Sequence, residues 1–355
     1  MSILDDPKTY RRLDPEGCAE AIRGLPEQCL EAWQAVEDLR LPPAYADVDK
    51  VVVVGMGASA IGGDFLRVLT AAEGRAGVTT SRGYDLPRWV DARTLVVCSS
   101  HSGTTEETLS AFKQARATDA KLLVITTGGR LNELADATGV PALTYAFDLA
   151  SPRAAFGHGL VRLLGVARAI GALALDGDRL GRAVESMRSL RSGIDLSVPE
   201  GDNAAKQLAR RLHGRLPFVV GGGFLAPAAL RWQTQLNENA KTWAFSDELP
   251  EINHNLIVGL GLPTGALGLL HVVFLDAAGL HPRTRLRFDA TADLLREAGV
   301  GHERLVFEET DLLAALLCAV HFGDLVSLYL AMLNGVQPFG VANIDWLKAR
   351  LARET

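Results

Sequence analysis

Residues Ser99-Ser100-His101-Ser102-Gly103-Thr104-Thr105-Glu106-Glu107 gather five hydroxyls and one glycine in a single short stretch. The stretch follows an apolar run, Thr94-Leu95-Val96-Val97-Cys98, and precedes a segment that reads as a helix. A helix starting there aims unpaired backbone N–H groups and the positive end of its dipole into a loop lined with hydroxyls. That combination suits a phosphate dianion. The stretch contains neither Lys nor Arg, so the anion would be held by oriented dipoles and hydroxyls. A helix cap needs one hydroxyl, and two acids in the first turn favour the dipole. Five hydroxyls are more than capping requires.

A second glycine turn, Gly55-Met56-Gly57-Ala58-Ser59-Ala60, follows Val51-Val52-Val53-Val54. It satisfies the dinucleotide fingerprint G-x-G-x-x-A, which also calls for an acidic residue closing the next strand. That strand ends Thr80-Ser81-Arg82 instead, with Glu73 lying before it. Arg82 suits a 2′-phosphate, so an NADP-dependent oxidoreductase stays open but disfavoured. A tight strand-to-helix turn alone also accounts for the glycines.

Further along, Asn237-Glu238-Asn239-Ala240-Lys241 follows a second glycine-rich turn, Gly221-Gly222-Gly223. By spacing alone, Glu238 and Lys241 read as an i,i+3 surface pair. His254 sits in a polar turn, Glu251-Ile252-Asn253-His254-Asn255, and nothing local distinguishes it or Lys348. There is no H-E-x-x-H and no His/Cys cluster with metal-ligand spacing. Walker A and G-x-S-x-G patterns are missing too. No metal and no cofactor are expected.

Positioning these residues takes strand–helix alternation. Runs at 51–54, 77–81, 94–98 and 122–126 alternate with helical segments, which predicts parallel βαβ units with helices on both faces. Pro217-Phe218-Val219-Val220 opens a weak domain-scale repeat of the same plan. Later strands are expected at 255–258, 269–275 and 304–307, with closing helices at 311–333 and 341–351. The expected organisation is a helical N-terminal arm (1–45), a first α/β domain (46–150), a helical connection (151–200) and a second α/β domain with C-terminal helices (201–355).

The chain has 355 residues, 48% hydrophobic and 22% charged, with net charge -6. That composition fits a folded two-domain protein and lacks the basic footprint of nucleic-acid binding. Four scattered cysteines suggest no disulfide framework. No export signal and no uninterrupted apolar run of membrane-spanning length is legible, so a cytoplasmic protein without membrane partners is expected.

Together these segments resemble the bifunctional phosphoglucose/phosphomannose isomerase family of the sugar isomerase (SIS) superfamily. The motifs that carry the resemblance are Gly55-Met56-Gly57-Ala58-Ser59, Ser100-His101-Ser102-Gly103-Thr104-Thr105, Ser151-Pro152-Arg153-Ala154-Ala155, Asn237-Glu238-Asn239-Ala240-Lys241 and Glu251-Ile252-Asn253-His254-Asn255. The resemblance implies two SIS-type doubly wound parallel sheets and a metal-free aldose–ketose isomerase. The implied substrate is a phosphorylated hexose: glucose 6-phosphate, with mannose 6-phosphate open, converted to fructose 6-phosphate through an enediolate. It implies that Ser59, Ser100, Ser102 and Thr105 hold the phosphate and that Arg153 steadies the enediolate oxygen. Glu238 would carry the proton between C1 and C2, His254 would open the ring, and Lys348 would assist ring opening or contact a substrate oxygen. It further implies a homodimer in which His254 reaches the partner's site. Ala58, His101, Thr104 and Phe339 depart from the family pattern; Phe339 replaces the Thr of a C-terminal Asp-Pro-Thr-Pro-Val. A sugar-phosphate sensor and an isomerase of another phosphosugar are the alternatives.

Overall fold

The computed structural model describes residues 2–147 and 151–353. Three N-terminal helices, α1 (Pro7–Leu13), α2 (Cys18–Arg23) and α3 (Leu25–Gln34), lead into the first sheet. There β1 (Lys50–Val54), α4 (Gly57–Glu73), β2 (Gly77–Ser81), β3 (Thr94–Ser100), α5 (Glu106–Ala115), β4 (Lys121–Thr126), α6 (Gly129–Thr138) and β5 (Ala142–Thr144) follow in turn. All five strands are parallel, in the order β2-β1-β3-β4-β5. The valine run reads as continuous because the sheet is covered on both faces. Val51, Val53, Leu95 and Val97 face the central core, while Val52, Val54, Val96 and Cys98 face Phe112 of α5 and Leu131 of α6.

Helices α7 (Phe156–Ala169), α8 (Gly177–Ile194) and α9 (Ala204–Leu212) connect to the second sheet. That sheet contains β6 (Leu216–Gly222), α10 (Ala226–Glu238), β7 (Phe245–Leu249), the short α11 (Thr264–Leu267), β8 (Leu270–Ala277), α12 (Pro282–Glu297) and β9 (Gly301–Phe307). It is parallel too, in the order β7-β6-β8-β9. The chain closes with α13 (Leu312–Asn334) and α14 (Ala342–Leu351).

One apolar core joins the two sheets. The N-terminal helices pack into it: Cys18, Ile22, Leu25, Cys29 and Trp33 are buried in the same cluster as α7, α8 and α13. Lys206, fully buried on α9, ties this end down by donating to Asp5 (2.9 Å) and to the carbonyls of Leu196 and Val198. Helix α13 is long and apolar enough by composition to span a membrane, yet almost all of it is inside the protein. It packs against α8, α9 and α10. Trp232 of α10 lies flat against it where Gly323 leaves room, donating from Nε1 to the Ala319 carbonyl at 2.8 Å.

Two strand expectations change. Residues 255–258, expected as a strand, lie in short 3-10 turns (Glu251–His254 and Leu256–Gly259). Leu256 and Val258 are exposed there, and no strand among the described residues pairs with them. Conversely, Phe245-Ser-Asp-Glu-Leu249 forms β7 despite its polar centre, because an edge strand can leave side chains in solvent.

Candidate functional site

In an open parallel sheet, the crevice at the carboxyl end of the strands, where the winding reverses, is the ligand-binding position. In the first sheet that point lies between β1 and β3, where the glycine turn and the serine loop emerge side by side. Gly55 makes their approach possible: a Cβ there would lie 2.7 Å from the Ser99 carbonyl oxygen and 3.1 Å from Ser59 Cβ. Ser59 is half-buried in the first turn of α4. Ala58, which departs from the family pattern, packs its methyl against the core.

In the serine loop, the Ser100 and Thr105 hydroxyls lie 2.8 Å apart, and Ser100 Oγ accepts from the Gly103 N–H at 3.1 Å. Gly103 has φ +65°, and a Cβ there would collide with the Gly128 carbonyl at 1.8 Å, so no other residue fits without displacing the backbone. Ser102 and Thr104 are exposed and bonded to each other through their hydroxyls (3.0 Å). Thr105 occupies the N-cap position of α5, yet its side chain makes no capping bond. The hydroxyls are thus directed at one another across the loop, and the first N–H groups of α5 remain for an anion.

A second cluster lies where the chain's segments converge on the end of α10. Arg153 stands in a 3-10 turn (Pro152–Ala155) leading into α7 and is buried. Its Nη1 donates to Glu238 Oε2 at 3.0 Å, its Nε to Asn239 Oδ1 at 2.6 Å and its Nη2 to the Pro338 carbonyl at 2.7 Å. Phe339 covers the guanidinium with its ring centroid 5.5 Å away. Glu238 keeps its carboxylate partly exposed. A partly open carboxylate beside a fixed, permanently charged guanidinium can exchange a proton with a ligand and steady an oxyanion on it.

The surface pair read from spacing is therefore replaced: Glu238 pairs with Arg153, and Lys241 Nζ donates to the carbonyls of Glu238 and Pro338. His254 and Lys348 do not join this cluster. His254 is exposed in its 3-10 turn, and Lys348 is exposed on α14, a helix with no buried residue. Neither side chain bonds to Glu238 or Arg153. Arg82, the candidate 2′-phosphate ligand, is bonded to the buried carboxylate of Asp64 on α4, which leaves the nucleotide reading without its cation.

Sequence reasoning gave no role to the residues that hold Arg153. Asn239 Nδ2 donates to Ser327 Oγ (2.9 Å), which donates to the Asp324 carbonyl (2.7 Å). Asp324 in turn pairs with Arg231 at 2.6 Å, both buried, and Arg231 lies over the Phe156 ring. Burial pushes the Asp324 carboxyl above its ordinary value, with the Arg231 charge opposing. One signal was available: Asp324 is the one charged residue in the largely apolar 312–334 helix, and such a residue needs a buried partner.

Two parallel, doubly wound sheets with a hydroxyl-rich loop at a switch point define the class as sugar isomerase (SIS) proteins. Residues 201–351 match the model of the bacterial phospho-glucose isomerase C-terminal SIS domain. A bifunctional phosphoglucose/phosphomannose isomerase of Caldicellulosiruptor bescii is 39% identical over 94% of this chain and 98% of its own. One from Aquifex aeolicus is 34% identical over 91% and 99%. Among solved structures, a hypothetical protein of Thermus thermophilus superposes with TM-score 0.75 at 18% identity, covering 98% of this chain and 94% of its own. The chain belongs to the bifunctional phosphoglucose/phosphomannose isomerase family.

Proposed function

We propose that this protein interconverts glucose 6-phosphate and fructose 6-phosphate through an enediolate, without a metal ion. The observation that carries the reading is the 3.0 Å pairing of Glu238 with an Arg153 whose Nε and Nη2 are each anchored elsewhere. The phosphate sits against Ser59, Ser100, Ser102, Thr105 and the first turn of α5. The carboxylate of Glu238 takes the proton from C2 of the open-chain aldose, electrons move onto the C1 oxygen, and Arg153 Nη1 faces the resulting oxyanion. The O2 hydroxyl proton passes to O1, leaving the charge on O2, and the same carboxyl then returns its proton to C1 as C2=O forms, giving the ketose. Atoms and charge balance within the substrate and one carboxyl group, so no redox partner enters.

His254 and Lys348 act on ring opening and on a substrate oxygen from a second copy of the chain or after closure onto it. The protein is a homodimer with shared sites. Val258 and Leu262 are 83% and 80% exposed in the segment that follows His254, and Trp346 is exposed on the helix that carries Lys348. Large apolar side chains in such numbers favour a covering surface. The two sheets serve as two domains, 46–150 and 201–355, joined by 151–200. Mannose 6-phosphate is a second substrate if Phe339, turned onto Arg153, leaves both C2 epimers room.

A coupled assay for fructose 6-phosphate formation from each aldose phosphate, with EDTA present, tests the reading. Turnover with EDTA, and a loss of about 10²–10⁴-fold in kcat for Glu238→Gln with phosphate binding retained, is the expected result. Sugar-phosphate binding without turnover would leave a sensor in its place.

A further inference from the structure

We propose that Lys241 is a positioning residue of the isomerisation site, clamping the end of α10 and the Pro338 turn around Arg153. The inference rests on the isomerase reading above and assigns a further residue to it.

Lys241 has φ +54°, the one non-glycine residue in the left-handed region among the described residues. Just past a helix end, that conformation is ordinarily taken by glycine. A side chain that keeps such a backbone is held by its surroundings, and this one is held at its tip. Nζ donates to the Glu238 carbonyl and, at 2.7 Å, to the Pro338 carbonyl. Arg153 Nη2 donates to that same Pro338 oxygen, also at 2.7 Å. Two cations thus converge on one carbonyl beside the Glu238 carboxylate.

Mutual repulsion of two cations so placed is tolerated only where negative charge is near. The carboxylate supplies some, and a bound phosphosugar passing through an enediolate supplies more. The groups facing the ammonium are Arg153 from the turn before α7, Glu238 on α10, Cys18 on α2 and Glu16 just before it. Partial burial and the Arg153 charge hold the ammonium down to about 8, so its charge is lost just above neutrality. Loss of that charge weakens both carbonyl bonds, freeing the Pro338 turn and with it the third anchor of Arg153. The cost falls on the chemical step rather than on phosphate binding, because the serine loop lies on a different sheet.

The test is the pH dependence, from pH 6 to 10, of kcat and KM for glucose 6-phosphate in wild type, Lys241→Met, Lys241→Arg and Lys241→Gly. Wild type is expected to lose kcat/KM along an alkaline limb near pH 8, with the limb in kcat lying higher because bound substrate adds negative charge beside the ammonium. Lys241→Met should lower kcat at pH 7 tenfold or more with KM within twofold, and the limb should vanish. Lys241→Arg, which keeps charge and donors, should restore most of kcat and move the limb beyond the range. Lys241→Gly relieves the backbone conformation without supplying the ammonium and should stay as slow as Lys241→Met. A Lys241→Met enzyme within twofold of wild type in kcat, with an unchanged profile, overturns the proposal, as does a fully active Lys241→Gly. Absence of isomerase activity in wild type would instead overturn the reading on which it rests.

Discussion

The buried pair between Arg231 and Asp324 offers a quantitative trial of the scaffold behind the site. Their side chains are 2% and 4% exposed and meet at 2.6 Å. Replacing Asp324 with Leu strands a guanidinium that cannot shed its charge. Removing one partner of such a pair costs about 3–5 kcal/mol, roughly a thousandfold in the folding equilibrium. Arg231→Met behaves differently, since the abandoned carboxyl can take up a proton. Burial already holds the Asp324 carboxyl above its ordinary value, and removing the opposing Arg231 charge raises it further. A folded-state pKa above the unfolded value of about 3.9 means that stability is lost as pH rises through that interval, by about 1.4 kcal/mol per unit. Arg231→Met should therefore sit closer to wild type at pH 5 than at pH 8. The double variant Arg231→Met/Asp324→Leu removes both charges and should recover to within about 1–2 kcal/mol of wild type. Guanidinium chloride denaturation at the two pH values, followed by the fluorescence of Trp232 and its neighbours, measures all three variants. An Asp324→Leu protein within about 1 kcal/mol of wild type, or a double variant no better than the worse single, would refute the reasoning.

Ser100→Ala removes the hydroxyl that bridges Thr105 and Gly103; KM for the sugar phosphate should rise about tenfold or more, a bond to a charged group being worth about 1.5–3 kcal/mol. Steady-state kinetics with unchanged KM would remove Ser100 from the phosphate site. Gly323→Ala drives a methyl to within 2.1 Å of the Trp232 indole nitrogen. Despite the better helix propensity of alanine, it should destabilise by about 2 kcal/mol, read as a lowered denaturation midpoint.

Much of the first sheet was legible because a strand buried on both faces must be apolar at nearly every position, as Val51–Val54 and Leu95–Cys98 are. The serine loop was legible for a related reason: its hydroxyls are neighbours in sequence, so their convergence needs no knowledge of the fold. Arg153 and Glu238 became candidates only through resemblance, since 85 residues separate them and neither carries a local signature. Strands β5 and β7 escaped notice, one for its shortness and the other for the Ser-Asp-Glu at its centre. The reverse error at 255–258 came from apolar residues that resemble a strand but face solvent. Asn239 and Lys241 were visible as letters of a motif, while their work is done across space, on Arg153 and Pro338.

The three acceptors of Arg153 lie 86, 85 and 185 residues along the chain from it. Each bond closes a long loop, and the entropy of closure must be overcome before any of them contributes. The guanidinium therefore stays untethered through early collapse, however much helix has formed around it. The turn before α7, the end of α10 and the 336–340 turn must all meet before the cation beside the acid has its full set of anchors. Catalytic competence is thus a late event in folding, and a chain cut short of Pro338 loses one of the three anchors outright.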